Sequence, residues 1–182
     1  MKKLILSILA LAAFNVFAQD VYLTKAGNIR FFSSTPLEDI EGKSKDAVSA
    51  LNTKTGEIVA QIQIKSFRFE KSLMEEHFNE NYMESEKFPK AVLKAKILDL
   101  EKYDFSKDGE QKVVFEGDLT IHGVTKKVKL EGTIKKSGKN VQAKSVFKVK
   151  LADYNIKVPS VVTKNIAEDI EVTVDFPYEL KI

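Results

Sequence analysis

The sequence predicts an antiparallel all-β fold. Three observations carry that reading: side chains alternate with a period of two, turn residues separate the alternating runs, and glycines fall on the inward phase of adjacent runs. Alternation marks strands that bury one face and wet the other, as antiparallel strands do. Ile58, Ala60, Ile62 and Ile64 alternate with Val59, Gln61 and Gln63. Val113, Phe115, Gly117, Leu119 and Ile121 alternate with Val114, Glu116, Asp118, Thr120 and His122, and Val128, Leu130, Gly132 and Ile134 with a lysine-rich set. Val141, Ala143, Ser145, Phe147, Val149 and Leu151 make a further strand, and Ile170, Val172, Val174 and Phe176 the closing one. Weaker strands are expected over 21–24, 28–34, 46–52 and 91–98.

Lys54-Thr55-Gly56, His122-Gly123-Val124-Thr125 and Ser137-Gly138-Lys139-Asn140 separate the runs and predict hairpin loops. Strands at this spacing build a sandwich or a barrel. Gly117 and Gly132, inward on neighbouring strands, mark a bend or a close backbone approach of the kind a closing barrel needs. One segment departs from period two. Ser72 followed by Glu75 reads as a capping box, and Met74, Phe78 and Tyr82 recur at helical spacing. A short helix is therefore expected over 72–83. It links a strand ending near Ser66 to one starting near Ala91, through Lys87-Phe88-Pro89.

The first residues read as an export signal. Lys2 and Lys3 precede an apolar run from Leu4 to Phe14, and Val16 and Ala18 place small residues at the −3 and −1 positions before Gln19. The run is shorter than the roughly 20 residues a membrane span requires. Cleavage after residue 18 would leave residues 19–182 as one domain acting in the periplasm or outside the cell, large enough to bury its own core. With no cysteine in the chain, disulfides, a thiol nucleophile and attachment through a lipidated cysteine are all excluded. Loss of Lys2 and Lys3 lowers the formal net charge from +3 to +1, with 27 basic and 26 acidic side chains left, so nothing global points to nucleic acid as partner. Charge is uneven along the chain, however. Residues 70–86 hold six acids and one lysine, and residues 126–150 nine lysines and one acid. Such a lysine run is most simply a solvated sheet face that discourages edge pairing, with transient contact to an anionic membrane surface as the alternative.

Chemistry-bearing residues are few. His77 and His122 are the only histidines, no metal-ligand spacing occurs, and glycine-rich phosphate loops and nucleophile elbows are missing. His122 falls in a hairpin turn on the outward phase of its strand, and His77 sits in the helical segment beside Glu76, a neighbour that cannot face it on a helix. What remains is apolar inventory. Large inward residues mix with Ala60, Ala95, Ala143, Gly117 and Gly132, which leave room inside. An eight-stranded barrel either fills that space with side chains or encloses one small ligand.

Gly117-Asp118-Leu119-Thr120-Ile121-His122-Gly123-Val124-Thr125-Lys126 resembles the signature hairpin of the YceI-like family, exported lipocalin-like barrels associated with polyisoprenoids and other lipids. Residues 73–78 and 82–89 resemble that family's His-containing helical stretch and its aromatic-Pro ending. Asp153-Tyr154-Asn155-Ile156 resembles the end of its late strand, and Ile170 to Phe176 its closing strand. The resemblance extends over essentially all of residues 19–182. The resemblance implies an eight-stranded antiparallel lipocalin-like barrel that binds an amphiphilic lipid and is not an enzyme, with no cofactor beyond that lipid and no metal.

Under that implication Phe31, Ile62, Phe115, Leu119, Ile121, Phe147 and Val149 line the cavity, and Met74, Phe78, Tyr82 and Phe88 cover or narrow its opening. His77 hydrogen-bonds the ligand's head group or, more simply, braces the helical segment. Departures from the family are also legible. A His-Ser pair frequent on the first strand is replaced within Ala26 to Phe31, Met74 and Glu75 stand where an Arg-Asp pair is common, and Asn155 stands for a frequent glycine. Where those polar groups hold a head group in relatives, the polar end of the ligand differs here. Two rival readings follow from the residues: an enzyme acting on a lipid or small acid, with His77 and a carboxylate as acid and base, or a solid barrel that works through its lysine-rich surface.

Overall fold

Eight antiparallel strands close into one barrel, each bonded to its neighbour in sequence and the last to the first. This computed structural model describes residues 21–180; the expected export signal lies outside them. The strands are β1 (Val21–Ser34), β2 (Asp39–Asn52), β3 (Glu57–Gln63), β4 (Lys90–Ile97), β5 (Gly109–Ile121), β6 (Val124–Ser137), β7 (Asn140–Lys150) and β8 (Asp169–Leu180). A helix, α1 (Ser72–His77), continues into a wider turn over Phe78–Tyr82 between β3 and β4.

Turn chemistry explains the best-defined hairpin. His122 and Gly123 both have positive φ, +49° and +73°, the backbone of a two-residue turn whose twist matches that of the strands it joins. β5 and β6 therefore stay in register from Gly109↔Lys136 to Ile121↔Val124. Gly117 faces Ala95 across the β4–β5 ladder, and a Cβ there would lie 2.1 Å from the Lys94 carbonyl oxygen and 2.4 Å from the Ala95 Cα. The close approach expected of this inward glycine is real.

Barrel closure is uneven along the axis. β6 pairs with β7 only from Gly132↔Ser145 to Ser137↔Asn140, and β2 with β3 only from Val48↔Gln61 to Leu51↔Ile58. Beyond those points the wall parts into two four-stranded leaves, β7-β8-β1-β2 and β3-β4-β5-β6. The β2 side is bridged by the pair Lys43↔Arg68 and by a 2.7 Å hydrogen bond between the hydroxyls of Ser44 and Ser66. On the other side the single helical turn Leu151–Tyr154 packs against β6 and β7. The fully laddered end forms a floor, where Leu51 and Tyr178 are buried and Leu100, Tyr103 and Phe105 pack from the β4–β5 connection. The parted end is the mouth, crossed by the long connections 64–89 and 151–168.

Several expectations need correction. The runs 21–24 and 28–34 are one strand with irregular register around Gly27, and the strand expected over 46–52 begins at Asp39. Ile64 has left β3 for a single helical turn, and Leu151 has likewise left β7. No capping box forms: Lys71 is the residue before α1, and the Glu75 carboxylate instead accepts from Arg68 Nη1 at 3.1 Å and from the Phe69 N–H at 3.3 Å. It ties the approach to the helix rather than its first turn.

Candidate functional site

The interior divides into two apolar layers with a space between them. Near the floor, Ile58, Ala95, Val113, Ile134, Val141 and Phe176 pack around Tyr178. The Tyr178 hydroxyl lies 2.8 Å from Ser49 Oγ, which donates to the Val59 carbonyl at 2.9 Å. Burial pushes the Tyr178 phenol well above its ordinary range, and the Ser49 hydrogen bond offsets part of that. Above this layer lies a cavity of about 350 Å³. It is at the small end of ligand pockets, which span roughly 300–1,000 Å³.

Small residues make the room. Ala60, Ala91 and Ala143 line the cavity beside Ile62, Phe115 and Leu119, and no larger side chain occupies their place. The wall toward the mouth is aromatic. Phe31 of β1 stacks on Phe78 at 5.1 Å and meets Phe67 and Phe69 at 5.2 and 5.5 Å. Gly42 allows this packing, because a Cβ there would lie 2.4 Å from the Phe31 ring. The wider turn matters here as well. The Met83 N–H reaches the Phe78 carbonyl, five residues back, at 2.9 Å, and Met74, His77, Phe78, Tyr82 and Met83 all reach the cavity from this one segment. Partial burial raises the Tyr82 phenol above its usual value.

Eleven of the twelve residues singled out from the sequence line this cavity: Phe31, Ile62, Met74, His77, Phe78, Tyr82, Phe115, Leu119, Ile121, Phe147 and Val149. Phe88 does not. Its ring lies edge-on to His122 with centroids 4.4 Å apart and covers Gly123. His77 is exposed at the rim, and its imidazole makes no hydrogen bond to any described residue.

His122 departs furthest from expectation. It is not outward: 9 % of it is exposed, Nδ1 is 3.1 Å from the Tyr154 carbonyl oxygen and Nε2 is 2.9 Å from Glu84 Oε2. One imidazole thus clasps both long connections over the mouth. Three non-glycine residues with left-handed backbone meet here, Glu84 (φ +42°), His122 (φ +49°) and Asn155 (φ +55°). Asparagine is the residue that best replaces glycine in that conformation, so the substitution at 155 preserves the turn.

Other lining residues escaped sequence reading. Phe67 and Phe69 carried one signal, a period-two pair flanking Arg68, whose backbone bonds to Lys43. Ser33 stands at the end of β1, and Glu38, Ile156, Asn165 and Ile166 come from loops without periodicity.

A model of the YceI-like domain matches residues 23–178. This chain belongs to the YceI-like family. Solved structures show the same barrel at low sequence identity. A polyisoprenoid-binding domain from Saccharophagus degradans, implicated in plant cell wall breakdown, superposes with a TM-score of 0.76 at 15% identity over 90% of this chain and 99% of that one. BcnA of Burkholderia cenocepacia gives 0.65 at 15% identity, over 84% and 95% of the two chains. The YceI protein of Campylobacter jejuni gives 0.61 at 18% identity, over 78% and 85%. No curated protein matches this chain.

Proposed function

We propose that this YceI-like protein is exported and sequesters or carries an elongated apolar ligand, a polyisoprenoid or similar lipid, inside its barrel. One observation carries the reading: the cavity, about 350 Å³, is walled by aromatic and aliphatic side chains and opens toward the parted end. The S. degradans neighbour, a polyisoprenoid-binding domain, supports the ligand class. Affinity comes from removing the tail from water, at about 25 cal/mol per Å² before the cost of association. Micromolar binding or better follows for a tail of several isoprene units, with no ion pair required. We read the protein as a binder rather than a catalyst, in keeping with its family.

Mass spectrometry of organic extracts, made from protein purified out of its native compartment, tests this directly. A stoichiometric long-chain lipid is the expected result. Delipidated protein that takes up neither an isoprenoid nor a fatty chain would overturn the proposal. Sequencing the N-terminus of the purified protein tests export, with Gln19 expected as the first residue.

A further inference from the structure

We propose that the mouth selects ligands whose polar end is an uncharged hydroxyl and rejects the same tails carrying phosphate. This rests on the carrier reading above and names the ligand class within it.

Apart from Gln61, Lys144 and Ser145 on the paired wall, the polar residues lining the cavity stand at its mouth. Ser33 Oγ, on a residue 2 % exposed, accepts the Ala167 N–H at 2.8 Å, and its own hydroxyl proton has no acceptor among the described residues. Glu38 lines the cavity two residues before Ile40, the ladder partner of Ser33, and accepts from Asn165 Nδ2 at 3.1 Å. Residues 165–167 therefore hold the donor and the carboxylate side by side. A ligand hydroxyl both donates and accepts, so it can give its proton to Glu38 and receive that of Ser33.

No lysine or arginine among the described residues offers a phosphate the same reception: Lys157 and Lys164 of the 151–168 connection do not line the cavity, and the His77 imidazole lines it only at the exposed rim. Lys144 is the single lysine or arginine along the cavity among the described residues, and it lies on the outward phase of β7, with Nζ 3.3 Å from Asp175 Oδ2. Lys71 Nζ is 3.8 Å from Glu38 Oε1, but its side chain is 68% exposed and it does not line the cavity. The neighbouring stretch 72–86 adds five carboxylates and no lysine or arginine. Among these, Glu75 pairs with Arg68, Glu84 with His122 and Lys87, and Glu86 with Lys65, whereas Glu76 and Glu80 have no cationic partner among the described residues. A phosphate placed beside Glu38 meets like charge where water is partly excluded, the setting in which repulsion is least screened.

The test compares farnesol, farnesyl phosphate and farnesyl diphosphate, which share one tail, by calorimetric titration of delipidated protein. Farnesol is expected to bind about tenfold tighter or more than either phosphate at low salt. The gap should shrink as salt rises from about 0.05 to about 0.5 M, because screening weakens the Glu38 repulsion. Glu38→Gln should tighten farnesyl phosphate by removing the like charge and weaken farnesol by replacing a charged acceptor with a neutral one, so that the two come to within about threefold of each other. Phosphate binding equal to or tighter than farnesol, or a gap that ignores both salt and Glu38→Gln, overturns the inference and leaves the carrier reading standing. If none of the three binds, the carrier reading falls and takes this one with it.

Discussion

Gly117 shows how little freedom the wall allows. Its missing Cβ would strike the Lys94 carbonyl and the Ala95 Cα, both backbone atoms that a rotamer change cannot move. Gly117→Ala should cost about 1–3 kcal/mol or more of unfolding free energy, read from urea denaturation. Tyr178 governs the alkaline limb of stability. Its phenol is held neutral in the folded floor, above the ordinary value of 10.0, whereas in the unfolded chain it ionises near that value. The stability this provides is therefore complete below about pH 10 and is lost as the pH climbs toward the folded-state value. Tyr178→Phe should move alkaline unfolding to higher pH, while losing the Ser49 hydrogen bond costs about 0.5–1.5 kcal/mol at neutral pH. Thermal melts across the pH range check both halves. At the acid end, hydrogen bonds from the Ser106 hydroxyl and N–H and from Lys107 hold the exposed Asp104 carboxyl at about 2, below its ordinary 3.8. Its contribution is present above pH 3.8 and fades as the pH falls to about 2.

At the scale of elements, the turn between β5 and β6 does more than reverse the chain. His122 joins the helical connection, through Glu84, to the β7–β8 connection, through Tyr154. His122→Ala should cost about 1–3 kcal/mol, and the amides of residues 84–88 and 151–156 should exchange faster while those of the floor do not change. His122→Asn keeps a side chain suited to positive φ but is too short to reach both partners, so it should show the same exchange pattern with a smaller loss of stability. None of this could be read from the sequence, because the partners lie 38 and 32 residues away. β3 and β5 to β8 were legible because each buries one face continuously. The first half of β2 was not. Its residues Asp39 to Lys45 are mostly polar, and its inward position 42 must be glycine to make room for the Phe31 ring. Eleven lining residues could be named from alternation and helical spacing, since inward phase and cavity wall coincide in a barrel. Phe88 misled because it follows the helix in a turn, where periodicity says nothing about direction.

Taken whole, the molecule is a barrel tied shut at one end and held by a few side-chain links at the other. Backbone amides on β6 between Val124 and Glu131 that face β7 lack ladder partners there, as do those on β2 between Asp39 and Ala47 that face β3, apart from the Lys43↔Arg68 bridge. Stability should follow that geometry. Hydrogen exchange is expected to be slowest at the floor, around residues 48–51, 113–117 and 141–145, and faster toward the mouth. Capacity follows it too. Affinity for isoprenoid alcohols should rise with tail length until the space of about 350 Å³ is full and then level off, in a series measured by calorimetry. A steady rise beyond that point would mean that the leaves part further to admit the tail. The same layout fixes what happens when the protein is tethered. Tyr22 near the start of β1 is bonded across to Leu180 at the end of β8, both on the floor side. A linker joined at either strand end thus leaves from the sealed base, so a bead- or chip-bound sample should present its opening to the flowing solution and load as freely as the untethered protein.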